Sequence, residues 1–148
     1  MGRLICKIPH EGKDYYLIWS TVVDSFVTYG LPLDEFTEWM REEEGRRYME
    51  FDHANRMERV EAKGTSSRMD NSVEEVVTCN RCGPGETRIS MEGIIYQFIT
   101  RRGQKVTEDE MLPYLNPYTS KEVGEEDWEE HYKEEWEAVQ EKKQLAGL

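Results

Sequence analysis

The sequence predicts an α+β domain: an N-terminal β-hairpin or small antiparallel sheet, packed by several helices, and a long acidic C-terminal helix. Three observations carry this. Strand patterns cluster before residue 30, helical spacing of apolar residues dominates after it, and 148 residues is one domain's worth of chain. Segregation of the two patterns, rather than their alternation, separates α+β from α/β. We read residues 1–148 as a single domain, with an α+β body over 1–116 and an acidic helical extension over 117–148.

Element by element, Arg3 to Ile8 alternates, with Leu4, Cys6 and Ile8 on one face. Pro9-His10-Glu11-Gly12-Lys13 supplies turn chemistry, and Asp14 to Ser20 is an aromatic-rich second strand. Thr21 to Tyr29 is β-branched and aromatic, which predicts a third extended segment, broken near Asp24-Ser25 and ending at Gly30. Pro32 marks a helix start, and Leu33, Phe36, Trp39 and Met40 recur at helical spacing until Gly45 interrupts. Tyr48, Phe51, His53, Met57 and Val60 outline a second helical stretch that stops at Gly64. Ser72 with Glu75 is a capping-box pattern before Val76 and Val77, and Cys79 to Thr87 reads as a turn region. Ser90 caps a helix whose buried stripe is Met91, Ile94, Ile95, Phe98 and Ile99, ended by Arg101, Arg102 and Gly103. Thr107 with Glu110 repeats the capping box before Met111, Leu112 and Leu115, and Asn116-Pro117 closes that helix.

From Gly124 onward, Trp128, Tyr132, Trp136 and Val139 follow at steps of 4, 4 and 3, a narrow stripe on an otherwise charged helix. Packed back on the body, the stripe completes the core. Left free, it docks a partner, because two tryptophans and a tyrosine make a contact hot spot. The two readings coexist, since the charged outer face stays exposed either way.

Composition narrows the function. Lys plus Arg number 19 against 31 Asp plus Glu, a net charge of −12. Leu, Ile, Val and Phe together make only 29 of the 148 residues, so the core leans on 4 Trp, 8 Tyr and 7 Met. Eight acids face three arginines between Asp34 and Asp52, and ten acids face four lysines between Lys121 and Lys143. Such a chain is expected to bind no nucleic acid directly, because phosphate contacts need a basic surface, and its basic residues are scattered. The longest apolar run is Tyr15 to Trp19, against roughly 20 residues for a bilayer span. We therefore expect no membrane segment. A charge at Arg3 precedes any apolar stretch, so no signal peptide is expected; Gly2 lacks the Ser or Thr that myristoylation wants where Cys6 stands. Three cysteines leave one over from any set of bridges, which points to a reducing, cytoplasmic setting.

Motifs that bear chemistry are few. Cys79-Asn80-Arg81-Cys82 can supply half of a tetrahedral zinc shell, which Cys6 and His10 would have to complete. The plainer alternative is two small residues at a turn; a redox dithiol lacks a βαβ setting. His131 has Asp127 and Glu135 four residues to either side, and His53 follows Asp52. Asp24, flanked by Val22, Val23 and Phe26, reads as a buried structural acid before it reads as a catalytic one. With no nucleophile–base–orienter set and no phosphate or dinucleotide loop, the chain leans away from being an enzyme, and no cofactor is expected.

Four strings carry a resemblance: Trp19-Ser20-Thr21-Val22-Val23-Asp24, Val27-Thr28-Tyr29-Gly30, Arg59 to Ser67, and Asn80 to Glu86. Together they resemble a group of small accessory proteins encoded by phages of actinobacteria, over roughly residues 3–100. The resemblance implies an accessory factor acting by protein binding in the host cytoplasm. It hands over no functional residue, and the group's pattern has a small non-cysteine residue in the place of Cys82, which argues against zinc.

The expectation for function is thus a phage-type accessory protein that binds a host or phage protein through acidic and aromatic surface. Trp128, Tyr132 and Trp136 are the anchors, and a protein that itself binds nucleic acid is one natural target. A zinc-stabilised module using Cys79 and Cys82, and a small hydrolase with an unrecognised site, are the alternatives.

Overall fold

The computed structural model describes residues 2–78, 87–102 and 104–148. The expected α+β architecture is present. Strands β1 (Arg3–His10) and β2 (Lys13–Ser20) form a hairpin in the register Cys6↔Leu17, with the short β3 (Ser25–Phe26) on the far side of β2. Pro9 and His10 are part of β1, so the turn is only Glu11-Gly12, both at positive φ (50° and 77°). Two such residues match the right-handed twist of the strands they join. The third extended segment is shorter than its β-branched sequence suggests. Residues 21–24 turn instead, with Asp24 at φ 51°, and Val22 and Val23 are exposed.

Helix α1 (Leu33–Phe51) starts after Pro32 and is kinked at Gly45, whose φ of 85° and ψ of 174° leave the helical region. Helix α2 (His53–Lys63) stops at left-handed Gly64. Helix α3 (Val73–Thr78) starts at Ser72, whose hydroxyl accepts from the Glu75 amide. Then come β4 (Arg88–Ile89) and α4 (Met91–Ile95), where the Ser90 hydroxyl accepts from the Gly93 amide. A wide turn, Tyr96–Thr100, continues α4 with a five-residue hydrogen bond from the Arg101 amide to the Tyr96 carbonyl. Helix α5 (Glu108–Met111) carries the full Thr107–Glu110 capping box. Beyond it the chain departs from the expected helix: Leu112–Tyr114 tightens to a 3₁₀ turn and Leu115–Asn116 becomes β5, paired with β4. Helices α6 (Ser120–Val123), α7 (Glu125–Asp127) and α8 (Lys133–Leu145) complete the chain, the last two joined by a second wide turn, Trp128–Tyr132.

The hairpin is buried on both faces. On one, Ile5, Tyr16 and Ile18 meet Phe36, Met40 and Val60 of α1 and α2. On the other, Cys6, Ile8, Leu17 and Trp19 meet Val77, Ile94, Phe98, Leu112, Leu115 and Val139 from the rest of the chain. This explains why β2 reads as an unbroken apolar run rather than an alternation. The outer edge of β1 is covered too: the Lys7 amide donates to the Gly64 carbonyl (2.8 Å) and the Ser66 amide to the Ile5 carbonyl (2.9 Å).

Candidate functional site

The anchors expected from sequence lie on the 125–145 helical stretch, and the site is built where that stretch returns to the body. Thr119 caps α6 in a capping box with Glu122. Glu122 also pairs with Arg88 (2.6 Å), and the Arg88 Nε donates to the Pro117 carbonyl (3.2 Å) while its guanidinium lies 5.8 Å from the Tyr118 ring centroid. One arginine from β4 thus holds the loop before α6 in place. Gly124 then redirects the chain into α7.

The aromatic stripe packs down on this loop. The Trp128 indole N–H donates to the Tyr118 carbonyl. Tyr132 is buried, its ring 5.5 Å from that of Tyr118. Val139 is buried in the main core, and Trp136 packs half-buried at its edge. A step of four residues overshoots one α-helical turn by about 40°, so two such steps would carry Trp136 well round from Trp128. The wide turn at Trp128–Tyr132 takes up part of that drift and keeps the stripe on one side. The core-completing reading therefore holds for Tyr132 and Val139.

The two tryptophans are different. Between them, with Pro117, Tyr118, Thr119 and Ser120, lies a mostly apolar recess of about 280 Å³. Small-molecule sites start near ~300 Å³, so this recess is scaled to a single protruding side chain. Pro117–Ser120 were missed by sequence reasoning, because their role depends on a helix returning to them from positions 128 and 136.

Charge surrounds the recess. Asp127 and Glu129 flank Trp128, Glu135 and Glu137 flank Trp136, and all four are exposed. Glu126, Glu130, Glu134, Glu137 and Glu141 recur at steps of 4, 4, 3 and 4 and are exposed as well. Most of them sit two residues from a stripe member, about 200° round the helix, and so form its outer ridge. Cations are few here: Lys133 lies 3.8 Å from Glu129, and the Lys143 ammonium is 5.2 Å from the Trp136 ring centroid while donating to the Leu115 carbonyl (2.7 Å). Partial burial pulls the Lys143 pKa below the usual lysine value.

Other residues singled out by sequence do not converge. Cys6 is fully buried, and desolvation pushes its thiol up to about 12 despite a hydrogen bond with Thr65. His10 is at the far end of β1, about 13 Å along the strand from Cys6. Cys79 and Cys82 lie outside the described residues. Asp24 is half-buried in a turn, so the expected buried position is not what the structure shows. His53 accepts or donates at 3.0 Å to the Tyr48 hydroxyl, and burial, then Arg56 and Arg41, lower its pKa. His131 is exposed, 3.8 Å from Glu130. Among the described residues no three metal-ligating side chains come together. No helix among them is long and apolar enough to cross a membrane.

No family model, no curated protein and no solved structure matches the chain.

Proposed function

We propose that this protein acts by binding another protein, seating one apolar side chain of the partner between Trp128 and Trp136 and meeting flanking Lys or Arg residues with its carboxylates. The observation that carries the reading is the recess itself: an apolar socket for one side chain inside a rim of exposed acids. Contact surfaces concentrate their energy in such an aromatic centre, while charged rims steer and select. The partner is therefore a basic segment with a single large apolar residue, the kind a nucleic-acid-binding protein presents. Action as a phage-encoded factor in the host cytoplasm belongs to the same proposal and rests on the resemblance over residues 3–100.

Selection of displayed random peptides against the full-length protein, in parallel with Trp136→Ser, tests it. The wild type should enrich sequences with one large apolar residue flanked by Lys or Arg, and Trp136→Ser should lose them. Enrichment of acidic sequences, or of peptides that bind the variant equally, contradicts the proposal.

A further inference from the structure

A second surface has the opposite charge. Arg3, Arg56, Arg59 and Arg68 line an open cleft of about 800 Å³ with Tyr48 and Phe51 on its wall, where the start of β1 meets α2. It continues into a smaller recess that shares Arg59 and Arg68 and adds Lys63. Glu44 and Asp52 are the acids on its lining.

Four of the ten described arginines are ion-paired, and Arg46 and Arg47, outside the cleft, are not among them. Arg41, Arg88, Arg101 and Arg102 each have a glutamate within 4.0 Å. The cleft cations do not. None of Arg3, Arg56, Arg59, Lys63 and Arg68 has a carboxylate at that distance among the described residues. They are nonetheless aimed. Arg56 Nη2 donates to the Arg3 carbonyl (3.1 Å) and Nη1 to the Tyr48 hydroxyl (3.3 Å), and Arg59 Nε donates to the Ser66 carbonyl (2.9 Å). These neutral acceptors fix the guanidinium planes without a direct ion pair, so the four arginines are offset on the lining only by Glu44 and Asp52. His53, beside Tyr48, is kept below its ordinary pKa by burial, then by Arg56 and Arg41. On the same wall, Phe51 is 70 % exposed, a flat apolar ring at the mouth of a cationic cleft.

Oriented guanidinium forks match the geometry of phosphate oxygens, and an exposed aromatic face next to them suits a planar base. The volume falls within the ~300–1,000 Å³ of small-ligand sites. We propose that this cleft binds a nucleoside phosphate, with the arginines on the phosphates and Phe51 against the base. It is separate from the recess at the C-terminal helix and does not depend on it.

Calorimetric titration of the full-length protein with ADP and with inorganic pyrophosphate, at low ionic strength, tests the assignment. Arg68 and Phe51 are exposed, so Arg68→Glu and Phe51→Ala are expected to keep the thermal midpoint of the parent. Both probes should bind. Arg68→Glu should weaken both about tenfold or more, and Phe51→Ala should weaken ADP by roughly five- to a hundredfold while sparing pyrophosphate. Arg46→Glu, exposed on α1 and not part of the cleft, should change neither. Absence of binding, or equal binding by Arg68→Glu, overturns the proposal, and so does ADP affinity that ignores Phe51. Self-association in the ultracentrifuge that Arg68→Glu abolishes and ADP leaves untouched also overturns it, by assigning the cleft to the acidic helix of a second copy.

Discussion

Tyr16 shows how a single side chain ties a helix to the sheet and makes the tie pH-sensitive. Its hydroxyl donates to Glu61 of α2 (2.7 Å), and Lys7 of β1 holds the same carboxylate at 3.1 Å. The hydrogen bonds from Tyr16 and Lys7 lower the Glu61 pKa, while burial and Glu61 raise that of Tyr16. The signs follow. A depressed carboxylate contributes stability that is fully present above its ordinary value, about 4.3, and is lost as pH falls through the lowered one. A raised phenol contributes stability that is present below about 10 and is lost as pH rises past it. Urea unfolding across pH should show Glu61→Gln flattening the acid limb. Tyr16→Phe should cost about 1 kcal/mol at neutral pH and shrink the alkaline limb, the remainder of which belongs to the raised Cys6 thiol and the raised phenols of Tyr48 and Tyr96. Cys6 gives a second residue-level expectation. With its thiol buried and pushed up to about 12, it should resist iodoacetamide in the native protein and react in urea, read by mass mapping of its peptide. The stripe of Trp128, Tyr132 and Trp136 was legible as a stripe, because its spacing is local. The arginine cleft was not. Its members at 3, 56, 59 and 68 are scattered in sequence and meet only when β1 docks against α2.

At the scale of elements, most of what is decided within four residues was read from the sequence, the Thr119–Glu122 capping box being the exception. The caps at Ser72, Ser90 and Thr107 and the stop at Gly64 stand where their short-range chemistry puts them. Long-range contacts decide the rest. Leu112 to Asn116 has apolar residues at helical spacing, yet its backbone pairs with Arg88–Ile89 instead, and no local pattern announces a two-residue strand. Gly93 belongs to the same region. A Cβ there would stand 2.5 Å from Ile89 Cγ2 and 2.5 Å from Tyr114 Cβ, so α4 approaches β4 and the 3₁₀ turn only because position 93 is glycine. Gly93→Ala should gain helix propensity and still destabilise the protein, by about 1–3 kcal/mol, since overpacking outweighs it. Denaturant midpoints measure this directly.

For the whole molecule, the decisive feature is a hairpin covered on both faces, which lets a chain poor in aliphatic residues build two apolar layers from one pair of strands. The C-terminal helix belongs to the second layer through Val139, and Tyr132 is buried beside it against Tyr118. A chain ending at Lys121 loses both and uncovers Tyr118 and Leu115, at about 1.5–3 kcal/mol for each buried side chain. Its thermal midpoint should fall clearly below that of the full-length protein, and an unchanged midpoint would mean that the helix is not part of the core. For the same reason, the binding claim is better tested by watching the intact recess than by deleting it. The four tryptophans permit this, because Trp19 is buried in the hairpin core and Trp39 packs on the other face, both away from the lining of the recess. The most direct measurement is an NMR titration of the indole N–H signals of the full-length protein with a peptide obtained by the display selection. The account predicts that the Trp128 and Trp136 signals shift together and saturably, while those of Trp19 and Trp39 stay in place, with affinity falling as salt rises. Saturable binding that leaves Trp128 and Trp136 unmoved would contradict it.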